Sequence, residues 1–206
     1  MDPTARPHEP RQSAAYGGDA VVLRLVKRYD KYMNRTDLAK RIRESAYLEG
    51  DFTLRSGRKS KYYLDKYLFE TQPDILLSLG KMFATFVQPT TTLIAGAELG
   101  GVALAAAASM TAGKPFVIIR NAKKDYGTSK PYEGKLTDGD SVLLVEDIAT
   151  TGGQVLEAAK FITSIGAKVE RIVAVIDRQE GARENIEGAG FVFQSLFTKA
   201  DLGIPS

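Results

Sequence analysis

Val142-Leu143-Leu144-Val145-Glu146-Asp147-Ile148-Ala149-Thr150-Thr151-Gly152-Gly153-Gln154 is the stretch that decides the fold. Four apolar residues end in two carboxylates, a small hydroxyl- and glycine-rich turn follows, and Gly153 to Ile165 has the pattern of a helix. A buried strand feeding a helix is the repeating step of a parallel sheet covered on both faces. The turn also carries chemistry. Unpaired N–H groups and the positive dipole end at a helix start favour a phosphate. Thr150 and Thr151 add hydroxyl donors, and the glycines let the backbone approach closely. Carboxylates placed like Glu146 and Asp147 can accept hydrogen bonds from sugar hydroxyls or help hold Mg²⁺ through water. An ordinary capped strand-to-helix turn explains Thr-Gly-Gly alone. It leaves the adjacent like charges unexplained, because they are unfavourable unless a ligand or cation offsets them.

The alternation continues outward from this stretch. Thr92–Ala95, Phe116–Ile119 and Val169–Ile176 read as further strands, and Phe191–Phe193 as another. Gly101–Thr111 reads as an Ala-rich helix, and Pro73 opens a helix whose apolar face is Ile75, Leu76, Leu79, Met82, Phe83 and Phe86. Leu38, Ile42 and Ala46 give a helix after a cap at Asn34 or Thr36. Val21 to Met33 starts another. Two short strands, Phe52–Leu54 and Tyr62–Leu64, flank the basic loop Arg55–Lys61. Asn121 to Asp140 is a long polar stretch. Ligands of such sheets bind beyond the carboxyl ends of the strands, so the segments after Ala95, Ile119, Val145 and Ile176 should meet along one edge.

Composition narrows the chemistry. At 206 residues, 44 % hydrophobic and 26 % charged, the chain fits one globular domain. With no cysteine and a single histidine, His8, thiolate catalysis, zinc–cysteine sites and a Ser/His/Asp triad have nothing to be built from. Residues 1–43 hold ten Lys/Arg against five Asp/Glu, which reads as a solvated helix face rather than a nucleic-acid surface. Residues 1–19, with three prolines and few apolar side chains, read as a disordered tail. No run is long and apolar enough to span a bilayer and no secretion signal opens the chain, so the expected location is cytoplasmic. The acidic strand end is similar to a Walker B strand, but neither G-x-x-x-x-G-K-[ST] nor G-x-G-x-x-G occurs.

Val-Glu-Asp-Ile-Ala-Thr-Thr-Gly-Gly resembles the phosphoribosyl pyrophosphate (PRPP) motif of the type I phosphoribosyltransferase family. Three more segments resemble the orotate branch of that family and occur in its order: Phe52–Ser60, Arg120–Gly127 and Asp177-Arg178-Gln179-Glu180-Gly181. The resemblance covers roughly residues 36–200. It implies an α/β fold with a parallel sheet flanked by helices and a small N-terminal hood. Residues 20–206 then form one domain, with the hood at about 20–70 and the core at about 71–206.

It also implies transfer of the phosphoribosyl group of PRPP to orotate, giving orotidine 5′-monophosphate and pyrophosphate. Arg120, Lys124 and Asp147 would be catalytic. PRPP would be held by Arg120, Lys123, Lys124, Tyr126, Glu146, Asp147, Ile148, Ala149, Thr150, Thr151, Gly152, Gly153 and Gln154. Orotate would meet Arg55, Tyr63, Leu64, Thr150 and Arg178. For Arg178 a structural ion pair with Asp177 or Glu180 is the plain alternative. Glu98-Leu99-Gly100-Gly101 resembles the pyrophosphate loop, with Leu99-Gly100 where some members have Tyr-Lys. Asn121 and Tyr126 stand where many have Lys and His, and a tyrosine carries no positive charge. Mg²⁺ is implied as part of the PRPP complex, with no metal bound directly by the protein. A homodimer is implied in which loop 120–135 reaches the neighbouring site, with no nucleic acid and no membrane as partner. Two other functions stand beside this one: phosphoribosyl transfer to another base, and a non-catalytic PRPP- or nucleotide-sensing regulator.

Overall fold

Runs of Val, Ile, Leu and Ala lie at the centre of the molecule because they bury both faces of one sheet. The structure is a computed structural model, and it describes residues 33–53, 57, 59–121 and 130–204. The expected tail at 1–19 and all but Met33 of the expected helix 21–33 lie outside the described residues, as do Arg55, Lys123, Lys124 and Tyr126.

Helix α1 (Arg35–Ala46) starts where Asn34 caps it: the Asn34 side chain accepts the Asp37 N–H at 2.9 Å. Such a cap contributes about 1 kcal/mol. Leu38, Ile42 and Ala46 are fully buried on one face. Strands β1 (Tyr47–Thr53) and β2 (Lys59–Leu64) form an antiparallel two-stranded sheet of their own. Both extend past the two apolar triplets predicted, β1 back to Tyr47 and β2 back to Lys59, through stretches such as Glu49–Asp51 that carry no apolar signal; Leu54 lies outside the described residues. Asp65 caps the five-residue α2 (Lys66–Glu70), accepting the Tyr67 N–H at 3.1 Å, and buried Phe69 anchors it. Helix α3 (Pro73–Ala84) opens on proline as expected; Phe86 packs on the core from beyond its end.

The main sheet has six strands in the order β5-β4-β3-β6-β7-β8. They are β3 (Leu93–Ala97), β4 (Phe116–Ile119), β5 (Tyr132–Glu133), β6 (Ser141–Ala149), β7 (Lys168–Asp177) and β8 (Phe193–Thr198). Five are parallel; β5 pairs antiparallel with β4 at the edge, so the sheet is mixed rather than wholly parallel. Helices α4 (Gly100–Ala112), α5 (Gly153–Ser164) and α6 (Ala182–Gly188) connect it. Along β6, Leu143 and Val145 enter a core shared with α1, α2, α3 and α4, while Val142 and Leu144 enter the core under α5 and α6. The residues of α1, β2 and α2 thus share the sheet's core, and from Met33 onward the chain is one compact unit.

The sequence reading differs at the main sheet as well. Strand β6 continues through Glu146 and Asp147 to Ala149, so the acidic pair lies within the sheet. Strand β8 runs from Phe193 to Thr198 instead of Phe191 to Phe193; its Gln194 and Ser195 hid it. Strand β5 is two residues long, and α6 seven, too short for a periodic signal.

From β3 the chain moves outward to β4 and β5, then returns to β6 on the other side of β3. This reversal of strand order opens a crevice beyond the carboxyl ends of β3 and β6, the usual ligand position in such sheets.

Candidate functional site

A cleft of about 1050 Å³ lies at that crevice. Glu146, Asp147, Ile148, Ala149, Thr150, Thr151, Gly152, Gly153 and Gln154 all line it. Tyr63 and Lys66 close it from β2 and α2, and Arg178 and Glu180 from the end of β7. One continuous segment therefore supplies most of the wall, and the strand register brings Arg178 to it: the Arg178 N–H bonds the Ala149 carbonyl at 2.9 Å.

The turn into α5 needs Gly152. Its φ is +77°, and a Cβ there would lie 2.9 Å from the Ile186 side chain. No side chain caps this helix start. The first N–H groups of α5 therefore remain as donors at the cleft, with Thr150 and Thr151 beside them. The Asn185 side chain donates to the Thr151 carbonyl at 2.9 Å and holds the turn.

The acidic end of β6 is buried: Glu146 is 7 % and Asp147 3 % exposed. Lys66 donates to Asp147 Oδ2 at 2.6 Å, and the Ile148 N–H to Oδ1. Glu70, one turn along α2, is 3 % exposed, and its Oε1 has no hydrogen-bond partner. Burial pushes the Glu70 carboxyl up to about 9; the charge of Asp147 adds to the rise and Lys66 opposes it. Burial, then Asp147, raises Glu146 as well. Burial pulls Lys66 down, but pairing with Asp147 outweighs it and holds the ammonium above its ordinary value. Position 100 must be glycine for this arrangement: a Cβ there would fall 1.7 Å from Asp147 Oδ2.

Arg178 is 12 % exposed and pairs with Glu180, Nη2 to Oε1 at 3.0 Å. Its guanidinium also meets the Tyr62 hydroxyl at 3.4 Å. Of the ion pairs weighed from sequence, Glu180 is the partner present; Asp177 instead accepts the Gln179 N–H at 2.8 Å.

The remaining expected site residues divide. Tyr63 reaches the cleft and packs on Phe52, ring centroids 5.6 Å apart. Leu64 turns the other way, 4 % exposed in the core, because alternate strand residues face opposite sides. Arg120 is not among the lining residues; it lies 3.6 Å from Glu133 and 4.0 Å from Glu98. Asn121 ties the β3–α4 connection to α5: it donates to the Glu98 carbonyl at 2.9 Å and accepts from Gln154 at 3.0 Å. Sequence reasoning missed Lys66 and Glu70, which sit on a helix too short for a pattern. The Asp65 cap ahead of Lys66 was the available signal.

A model of the phosphoribosyl transferase domain matches residues 69–201. The orotate phosphoribosyltransferase of Methanocella arvoryzae is 42 % identical over 168 residues, 81 % of this chain and 96 % of that protein. That of Pyrococcus abyssi is 44 % identical over 172 residues, 82 % of this chain and 94 % of its own length. Among solved structures, orotate phosphoribosyltransferase of Mycobacterium tuberculosis H37Rv in complex with Fe(III) dicitrate superposes with a TM-score of 0.74 at 31 % identity, covering 82 % of this chain and 99 % of that one. The same enzyme in complex with PRPP gives 0.71 at 30 % identity, with 82 % and 99 % covered. Sheet order, cleft and domain match define a phosphoribosyltransferase. The chain belongs to the orotate phosphoribosyltransferase family.

Proposed function

We propose that this enzyme transfers the phosphoribosyl group of PRPP to orotate, giving orotidine 5′-monophosphate and pyrophosphate in pyrimidine nucleotide synthesis. One observation carries this reading. A buried acidic pair, an uncapped helix start and a cleft arginine border one cavity, so ribose, 5′-phosphate and an anionic base each meet suitable chemistry. Asp147 and Glu146 would accept the ribose hydroxyls, and the turn Thr150–Gly153 would bind the 5′-phosphate. Arg178 would read orotate, with Arg55, Tyr63 and Thr150 nearby. Leu64 would support the Tyr63 strand from the core.

In the reaction the bond from C1′ to the pyrophosphate oxygen breaks, its electrons leaving with pyrophosphate, and a bond from the orotate ring nitrogen to C1′ forms as that nitrogen releases its proton to pyrophosphate or solvent. Negative charge therefore grows on the departing group. Preorganised cations aimed there stabilise the transition state. Arg120, Lys123 and Lys124 would take that role, with Tyr126 as a hydrogen-bond donor. Mg²⁺ would enter as part of the PRPP complex. Among the described residues, no cluster of three or more His, Cys, Asp or Glu is placed to hold a metal. The working unit would be a cytoplasmic homodimer in which residues 120–135 reach the neighbouring site. Among the described residues, no helix is long and apolar enough to cross a membrane.

The test is loss of orotate ultraviolet absorbance with PRPP and Mg²⁺, with adenine, hypoxanthine and uracil assayed in parallel. Turnover with orotate alone is expected. Turnover with another base, or PRPP binding without turnover, would reject the assignment.

A further inference from the structure

Three carboxyls crowd the ribose end of the cleft, and one ammonium faces them. Glu146 and Asp147 come from β6 and Glu70 from α2, all 7 % exposed or less. Lys66 is the cation whose charge reaches both Glu70 and Glu146, and it bonds Asp147 directly at 2.6 Å. The other titratable groups facing this cluster are Tyr67, whose ring centroid lies 5.3 Å from Lys66 Nζ, and Asp65. Lys66 is itself fixed. Asp65 caps its helix, Phe69 anchors that helix in the core, and only 29 % of the lysine side chain is exposed. Both oxygens of Asp147 are therefore engaged, Oδ1 by the Ile148 N–H and Oδ2 by Lys66. The carboxylate is locked in one rotamer, and one lone pair of each oxygen remains for a ligand.

We propose that Lys66 is a positioning residue for PRPP: by its ion pair it fixes the Asp147 carboxylate in the orientation that receives the ribose hydroxyls. The inference rests on the reading of Asp147 as the ribose acceptor. Without Lys66, Asp147 Oδ2 loses its donor and the carboxylate turns on its free χ angles, so ribose finds no preset acceptor. Orotate, at the Arg178 side of the cleft, is served by other residues and should be little affected.

The experiment compares the full-length enzyme with Lys66→Met, Lys66→Arg and the double variant Lys66→Met/Glu70→Gln, using PRPP, Mg²⁺ and orotate. Lys66→Met is expected to raise the KM for PRPP about tenfold or more, with kcat and the KM for orotate within about threefold. Lys66→Arg is expected to regain most of the loss, since it keeps a cation against Asp147. The double variant removes a neighbouring acid with the cation, which protects the fold should Lys66→Met alone be unstable. Its PRPP defect is expected to persist. A KM for PRPP within twofold of the parent, in either folded Lys66→Met variant, overturns the proposal. So does an equal loss for both substrates, the mark of a merely structural lysine. Failure of the parent enzyme to use PRPP would instead overturn the function on which the proposal rests, and the two failures are thus distinct.

Discussion

Arg178 and Glu180 form an ion pair of 3.0 Å in the wall of the cleft that the Lys66–Asp147 pair also lines. The guanidinium is thereby oriented before any ligand arrives, and Tyr62 supports it from β2 at 3.4 Å. Nε and Nη2 face Glu180 and Tyr62, so an arginine held this way presents Nη1 as an oriented, charged donor for an anionic base. Arg178→Ala is expected to raise the KM for orotate at least tenfold and that for PRPP less than threefold, measured as initial rates. The reverse order would remove Arg178 from the base site.

Glu70 gives the enzyme a pH-dependent stability of predictable sign. Its carboxyl is raised from an ordinary 4.5 to about 9, so across that interval the folded chain holds a proton that the unfolded chain has released. Stability from this group is fully present below 4.5 and is lost as pH rises toward 9, by at most about 1.4 kcal/mol per pH unit. Urea unfolding at pH 6, 7 and 8 should show the midpoint falling. Glu70→Gln should flatten that fall, since the amide does not titrate. A parallel fall in both proteins would mean the dependence has another source.

Most of the frame was legible in the sequence, because apolar strands followed by glycine turns carry a strong signal. The stretch from Val142 to Gln154 gave strand, turn and helix in the right order, with the strand end four residues short, and brought nine expected residues to one cleft wall. What stayed hidden depends on long-range geometry. Leu64 and Tyr63 are neighbours in sequence, yet only Tyr63 reaches the cleft, and the choice depends on strand facing that two residues do not reveal. Lys66 is brought to Asp147 across 81 positions of chain by the docking of Phe69. Nothing local marks either lysine or partner as a pair.

Asn121 stands where many relatives carry lysine, and here its side chain bridges two elements. It donates to the Glu98 carbonyl and accepts from Gln154, which also donates to Glu98 at 2.9 Å. Asn121→Lys keeps a donor for Glu98 and loses the acceptor for Gln154. The expected cost is about 1 kcal/mol, which in a chain of this size lowers Tm by about 2–4 °C. Calorimetry checks it; an unchanged Tm would show that the bridge contributes nothing to stability.

A shared active site makes a prediction that neither subunit can satisfy alone. If Lys124 acts on the neighbouring site while Asp147 acts on its own, mixing inactive Lys124→Ala and Asp147→Asn proteins should restore roughly a quarter of parental activity. That figure is about what random exchange gives when half the dimers are mixed and one of their two sites is intact. Activity that stays at background, with mixed dimers confirmed by mass, would place both residues in the same subunit's site.

Gly100 offers an independent route to the orientation of Asp147, because it leaves room beside the oxygen that Lys66 holds. A methyl group at this position would fall 1.7 Å from Asp147 Oδ2 and 3.1 Å from Lys66 Nζ, so the carboxylate must turn and the 2.6 Å pair must open. The backbone has no comparable objection. Gly100 begins α4 at a φ outside the left-handed region, so alanine fits the backbone there. Gly100→Ala should therefore fold, with Tm within a few degrees of the parent, while its KM for PRPP rises at least tenfold. If the pair matters through orientation, adding Lys66→Met to Gly100→Ala should cost little more, because the interaction is already broken. Full additivity of the two losses would mean that Gly100 and Lys66 act on PRPP separately, and the shared role of Asp147 would have to be abandoned.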